Sequence, residues 1–167
     1  MSTYTPISTQ TLSSAGSVTF TGIPQTYTDL IMVIAGTASP AINIEVRVGN
    51  GSVDTGSNYS YTYLAGNGST TESVRQSNQT SALLGAIYAG QSITTIQFQN
   101  YSNTTTNKTM LGRAGSAANA VAAYVSLWRS TAAINTISII GSLASGTVVT
   151  LYGIGAGSPK AFGGDEV

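Results

Sequence analysis

The chain has no histidine and no cysteine, and only 7% of its residues carry charge. Without histidine, the commonest general base, the Ser-His-Asp and Cys-His nucleophile pairs and imidazole metal sites are all excluded. Without cysteine there is no disulfide and no thiolate-held metal. An ordinary soluble domain is roughly 25% charged, so the polar surface here must be built from hydroxyls and amides. Ser, Thr, Asn and Gly supply 75 of the 167 residues. Six basic and six acidic residues cancel, and a neutral surface lacks the repulsion that keeps copies apart. The only lysines, Lys108 and Lys160, lie outside any basic run. Neither nucleic acid nor an anionic membrane surface is therefore expected as a partner. The longest apolar run, Leu30 to Ala35, is far short of the ~20 residues of a membrane helix.

What is present has a period of two. Ile42, Ile44, Val46 and Val48 alternate with Asn43, Glu45 and Arg47, the pattern of a half-buried strand. Ser17 to Thr21, Thr95 to Asn100 and Ile137 to Ile139 repeat it, and Ala123 to Arg129 and Thr147 to Ile154 are β-rich. Leu30 to Ile34 is apolar on both faces, which suits a central strand or one with an intermolecular contact. Turn signals such as Gly22-Ile23-Pro24, Gly49-Asn50-Gly51 and Gly66-Asn67-Gly68 separate these runs. The expectation is an all-β, single-domain antiparallel β-sandwich, jelly-roll-like, of eight to ten strands. Ser81 to Ala89 and Ser116 to Ala123 have the small-residue spacing of a short helical turn. The domain is expected to span residues 1–157, with residues 158–167 as a flexible C-terminal tail.

Six carboxylates remain for chemistry: Asp29, Glu45, Asp54, Glu72, Asp165 and Glu166. A glycosidase needs two facing each other across about 5–9 Å. Glu45 stands beside Arg47 on one strand face, where an ion pair is the simple reading, and Asp165 and Glu166 fall in the tail. Only Asp54, Glu72 and Asp29 are left for catalysis, and no enzyme is expected. Asp54 to Asn58 offers oxygen ligands without the spacing of a calcium loop; Asp and Asn in a glycine-bearing loop usually serve turn geometry, so no metal is expected. No phosphate-binding glycine motif occurs, so no cofactor is expected. Tyr59, Tyr61 and Tyr63 share one face of a strand. They form a core face, the centre of a subunit interface or a stacking platform for sugars. Trp128 and Tyr124 read as core.

Gly16-Ser-Val-Thr-Phe-Thr-Gly-Ile-Pro-Gln-Thr-Tyr-Thr-Asp-Leu30 resembles the opening of β-sandwich virion structural proteins from tailed phages of marine bacteria and cyanobacteria. Thr147-Val-Val-Thr-Leu-Tyr-Gly-Ile-Gly155, followed by Pro159-Lys-Ala-Phe-Gly-Gly164, resembles the last strand and exit of the same modules. The resemblance covers both ends of the fold and reaches the middle only in composition. It implies a jelly-roll-like virion protein, either a capsid decoration (cement) protein or a tail-fibre module. The chain stops soon after the exit motif, which favours cement: a homotrimer at junctions of the major capsid protein, on the capsid exterior. Residues 2–10 or the tail from Ser158 would serve as arms to a neighbour. The alternative is a tail-fibre or surface module that binds host glycans. No signal peptide is visible from Met1 to Gln10, so synthesis in a host cytoplasm is expected.

Overall fold

Ile44, Val46 and Val48 are fully buried while Asn43 is exposed, so the alternation in this segment becomes one face of a strand in the computed structural model. The structure describes residues 4–116 and 119–155, and among these there are thirteen strands and no helix. They are β1 (Thr5–Thr11), β2 (Gly16–Phe20), β3 (Asp29–Thr37), β4 (Ile42–Asn50), the two-residue β5 (Ser52–Val53), β6 (Tyr59–Gly66) and β7 (Thr71–Gln79). Then follow β8 (Ala82–Ile87), β9 (Gln91–Phe98), β10 (Lys108–Gly115), β11 (Val121–Trp128), β12 (Thr136–Leu143) and β13 (Val148–Ile154).

The strands form two antiparallel sheets. The larger runs β1-β13-β3-β9-β10-β11-β6-β7; the smaller runs β2-β12-β4, with β5 and β8 both on β4. Eight of these strands define a jelly roll. The quartets β1-β13-β3-β9 and β2-β12-β4-β8 face each other, and the chain steps between them from β1 to β2, β2 to β3, β3 to β4, β8 to β9, β9 to β12 and β12 to β13. That crossing pattern is the double Greek key of a jelly roll. The remaining strands are insertions. The β5–β7 segment enters between β4 and β8, and the pair β10 and β11 enters between β9 and β12. Of these, β10, β11, β6 and β7 extend the larger sheet beyond β9, while β5 stays on β4. The single-domain jelly-roll sandwich expected from the sequence is thus present, with more strands than eight to ten.

The excess comes from strands with weak patterns. β7 has one apolar residue, Val74, in nine and is exposed along almost its whole length, because it is a sheet edge with no second layer over it. Thr5 to Gln10, expected as part of a free arm, lies in β1 and pairs with β13 from Thr5↔Gly153 to Thr11↔Val148. Without it β13 would present unpaired N–H and C=O groups. Pro6 is tolerated there because β1 is an edge strand. The tail of residues 158–167 and the boundary at 157 lie outside the described residues.

Where a helical turn was expected in Ser81–Ala89, the structure has β8, every residue of which is buried. The small residues serve close packing. The larger sheet crosses β8 so tightly that a Cβ on Gly112 would lie 1.9 Å from the Leu84 carbonyl oxygen. A Cβ on Gly85 would lie 2.3 Å from the Thr94 methyl. Two hydroxyls of the facing sheet donate to β8 carbonyls: Thr94 to Ala86 and Ser126 to Leu83, each at 2.8 Å. In the second such segment Val121 to Ala123 opens β11, and residues 117 and 118 lie outside the described residues. Leu30, Met32 and Ile34 of β3, Ile96 and Phe98 of β9, and Val149 and Leu151 of β13 fill the core between the quartets.

Candidate functional site

The tyrosine row of β6 divides in two. All three rings point inward, since β6 pairs with β11 as Tyr59↔Trp128, Tyr61↔Ser126 and Tyr63↔Tyr124. Tyr59 is sealed in the main core. Its hydroxyl accepts from the Val48 N–H at 3.1 Å, and the carbonyls of Asp54 and Val48 lie within donating distance at 3.0 and 3.2 Å. Burial pushes its pKa up to about 12. Tyr59 is therefore a core residue, unable to meet a partner or a sugar. Tyr61 and Tyr63 belong instead to a smaller cluster with Tyr88, Tyr124, Leu83, Ala65, Ala114 and Ala122.

That cluster sits where the inserted strands carry the larger sheet past the smaller one, so Tyr61, Tyr63 and Tyr88 are only partly covered while Tyr124 is buried. The Tyr61 and Tyr63 rings are 6.5 Å apart at 28°, and Tyr63 and Tyr124 are 5.4 Å apart at 34°. At these spacings Tyr61 and Tyr63 are stacked and Tyr124 is tilted against Tyr63, so the rings pack on one another. The Tyr63 hydroxyl donates to Glu72 Oε1 at 2.8 Å, across the β6–β7 pair. Burial first, and then this bond to an anion, raise the Tyr63 pKa. Burial, with Tyr88 hydrogen-bonded to it, raises that of Tyr124. Tyr63, Tyr88, Tyr124, Glu72 and Asn43 line a hollow of about 180 Å³. A second of about 170 Å³, reaching Asn67 and Thr70, shares Glu72 and Tyr88 with it. The two make one groove.

The other carboxylates are used by the fold. Asp29 accepts from Gln97 Nε2 at 2.9 Å and the Asn100 N–H at 2.7 Å. Asp54 accepts from the Gly56 N–H, Asn58 Nδ2 and Trp128 Nε1 at 2.8 to 2.9 Å, so its loop is a turn pinned to an indole. Burial works to raise the Asp54 pKa, but the bonds from Trp128, Asn58 and Gly56 outweigh it and hold the group below its ordinary 3.8. The expected Glu45–Arg47 ion pair is replaced by separate bonds. Glu45 accepts the Ser81 hydroxyl at 2.7 Å, and Arg47 Nε donates to the Thr80 carbonyl at 3.0 Å. Asp54 and Glu72 sit near opposite ends of β6, beside Trp128–Tyr59 and opposite Ala65. Six residues of strand separate those positions by roughly 20 Å, too far for a glycosidase pair. Asp165 and Glu166 lie outside the described residues. Even Lys108 is buried, its ammonium donating to the Thr106 and Thr131 carbonyls at 2.7 and 3.1 Å.

A second surface lies on the outer side of the larger sheet. The ladders place Val33, Thr95, Arg113, Ala123, Leu64 and Ser73 in one cross-strand row, and Ile31, Gln97, Leu111, Val125, Thr62 and Arg75 in the next. Ile93 and Val121 flank Gly115 in a third. Leu64, Ile93, Val121 and Val125 are 59, 55, 67 and 49% exposed. Scattered exposed aliphatics are ordinary, but neighbouring ones on one face mark a contact surface.

Tyr124 is buried, as its alternation with Trp128 leads one to expect, whereas nothing in the sequence singles out Tyr88. Their meeting depends on the β6–β11 register and on β8 crossing beneath, which no local pattern encodes. No family model, characterised protein or solved structure matches the chain.

Proposed function

We propose that this chain is a structural protein without catalytic activity. In this reading it is a decoration or cement protein of a tailed-phage capsid, which joins copies of itself and neighbouring major capsid subunits through the outer face of its larger sheet. The exposed Leu64–Ile93–Val121–Val125 face is the observation that carries the reading. Eight strands of seven to nine residues, where the end strands β1 and β7 are included, present roughly 34 by 25 Å. That is about the 800 Å² per partner of a standard stable interface. Arg75 and Arg113 also stand on it, and a partner that buries them must pair them, because burying unpaired charge is costly. The resemblance of the two chain ends to phage virion modules, and the jelly roll they enclose, support the virion setting. A trimer at capsid-subunit junctions is the arrangement this reading favours, and binding the assembled shell would stabilise it by mass action.

Light scattering on the eluting species of the purified chain tests the surface. Val121 and Val125 point outward, so Val121→Lys with Val125→Lys should leave the melting curve in place and convert oligomer to monomer. A wild-type chain that is monomeric at high concentration and fails to bind shells removes the reading. Quantitative mass spectrometry of purified particles tests the location. Hundreds of copies, near a whole-number fraction of the major capsid protein, are expected; about a dozen would point to tail or fibre.

A further inference from the structure

Of the six basic and six acidic residues, Lys160, Asp165 and Glu166 lie outside the described residues, which leaves five and four. Most of these are spent on the fold. Asp29, Glu45, Asp54 and Glu72 each accept from a neutral donor. Arg47, Lys108 and Arg129 donate to neutral oxygens. Arg75 and Arg113 alone have neither a hydrogen bond nor an ion pair among the described residues. Both are exposed on the outer face of the larger sheet, where they bracket an apolar hollow. Arg113 stands directly across from Ala123, and Arg75 is the diagonal neighbour of Leu64, which pairs with Ser73; such neighbours are about 5 and 7–8 Å apart. Between them Leu64, Val121 and Ala123 line a space of about 710 Å³. Glu72 borders it, but its carboxylate is held by the hydroxyl of Tyr63, whose ring points to the opposite face.

Beyond Gly155 the sequence holds what this hollow lacks: one aromatic residue, Phe162, and the two remaining carboxylates, Asp165 and Glu166. We infer that the segment Phe162–Glu166 of a neighbouring copy docks here, with Phe162 in the hollow and Asp165 and Glu166 on the two arginines. This rests on the reading of the outer face as a contact between copies, and names what that contact grips. Spacing agrees, since three or four residues of extended chain place the carboxylates about 10–13 Å beyond the ring, far enough to reach guanidiniums at the margins. Charge agrees too, because an arginine and a carboxylate form a charge-assisted pair and neither member has another partner in the fold. Direction favours a neighbour over the chain's own segment. β13 leaves the sheet at the Asp29 end, whereas Val121 and Gly66 lie level with Val148, where β13 begins. Six residues, roughly 20 Å, separate the two levels. Within one chain the segment would have to reverse at once and run back across β3, β9 and β10. A neighbour's segment needs no such turn. Segment-to-sheet contact is heterologous and closes into a ring when the rotation allows, the form that a trimer requires.

Because the chain has no cysteine, single cysteines report the contact. Chains carrying Thr71→Cys, at the hollow, are mixed with chains carrying Ala161→Cys, beside Phe162, and oxidised mildly; the covalent pairs are identified by mass. Mixed pairs are expected to dominate over like pairs. Arg75→Glu with Arg113→Glu, both exposed, should keep the melting curve and cut the mixed yield about tenfold. Asp165→Lys with Glu166→Lys on the other chain should restore it, a rescue that a merely structural role for the arginines would not give. Like pairs in excess, or a mixed yield unmoved by the reversed charges, would overturn the inference. So would a chain with both cysteines that closes on itself as a monomer, since the segment would then lie on its own sheet. Oligomer that persists without the mixed pair overturns the docking of the segment and leaves the outer-face contact standing. A monomeric wild type that fails to bind shells removes both.

Discussion

Two buried threonines offer the same chemical change with opposite expected signs. Thr94 and Thr147 are both fully enclosed, at 0 and 1% exposure. Thr94 donates its hydroxyl to the Ala86 carbonyl at 2.8 Å, whereas Thr147 Oγ1 has no partner among the described residues. Valine keeps the β-branched shape and replaces the hydroxyl by a methyl group. At Thr94 the exchange deletes a hydrogen bond and deprives a buried carbonyl of its donor, which costs about 1–3 kcal/mol. At Thr147 it removes a hydroxyl that was stripped of water without compensation, so about 1 kcal/mol should be gained. The room exists, because Thr147 packs on Gly36, which has no side chain to displace. Urea unfolding should move the midpoint down for Thr94→Val and up for Thr147→Val at unchanged slope. In a chain of this size each kcal/mol is about 2–4 °C in Tm. Shifts of the same sign in both variants would show that packing around the methyl group, and not hydrogen-bond satisfaction, governs these sites.

Gly112→Ala should destabilise by at least ~3 kcal/mol, the upper end of overpacking costs, because its Cβ falls on the Leu84 carbonyl; the measurement is the urea midpoint, and a near-neutral result would mean that β8 moves freely. Asp54 has a folded pKa below its ordinary 3.8, so it contributes stability that is fully present above about pH 4 and lost as pH falls through the folded value. Melting temperatures between about pH 5 and pH 2 should therefore drop more steeply for the wild type than for Asp54→Asn, and parallel curves would contradict the bonding to Trp128, Asn58 and Gly56.

Much of the sandwich is legible wherever one strand face meets the core and the other meets water. Ile42 to Val48 and Ser17 to Phe20 have that alternation because they lie in the smaller sheet, which has one packed side. Leu30 to Ile34 reads as central, and β3 does sit between β13 and β9. The alternation fails where both faces share one environment. β8 is enclosed on both, so Ala82, Gly85 and Ala86 answer to the backbone crossing them and mimic helix spacing. β7 is exposed on both, so its polar run carries no period. The site was legible to the same degree. Tyr59, Tyr61 and Tyr63 share a face as their spacing requires, but which of them is sealed depends on how far the smaller sheet extends over β6. That is a property of the insertions, and no local window of sequence contains it.

The insertions also explain why both candidate surfaces occur in one place. Leu64, Val121 and Val125 on the outer side, and Tyr63, Tyr124 and Glu72 on the inner, all belong to β6, β7 and β11. A strand sends alternate side chains to opposite faces, so lengthening the sheet by these strands creates two new faces at once. The smaller sheet does not grow with it, and neither face is fully covered. The extension is nonetheless tied into the roll. Ser126 of β11 donates to Leu83, and Gly112 of β10 admits the Leu84 backbone, so β8 is clamped between roll and extension. Loosening the extension would uncouple β8 from its Ser126 donor and expose a strand that has no polar face. Both surfaces therefore stand on strands that are tied to the core through β8.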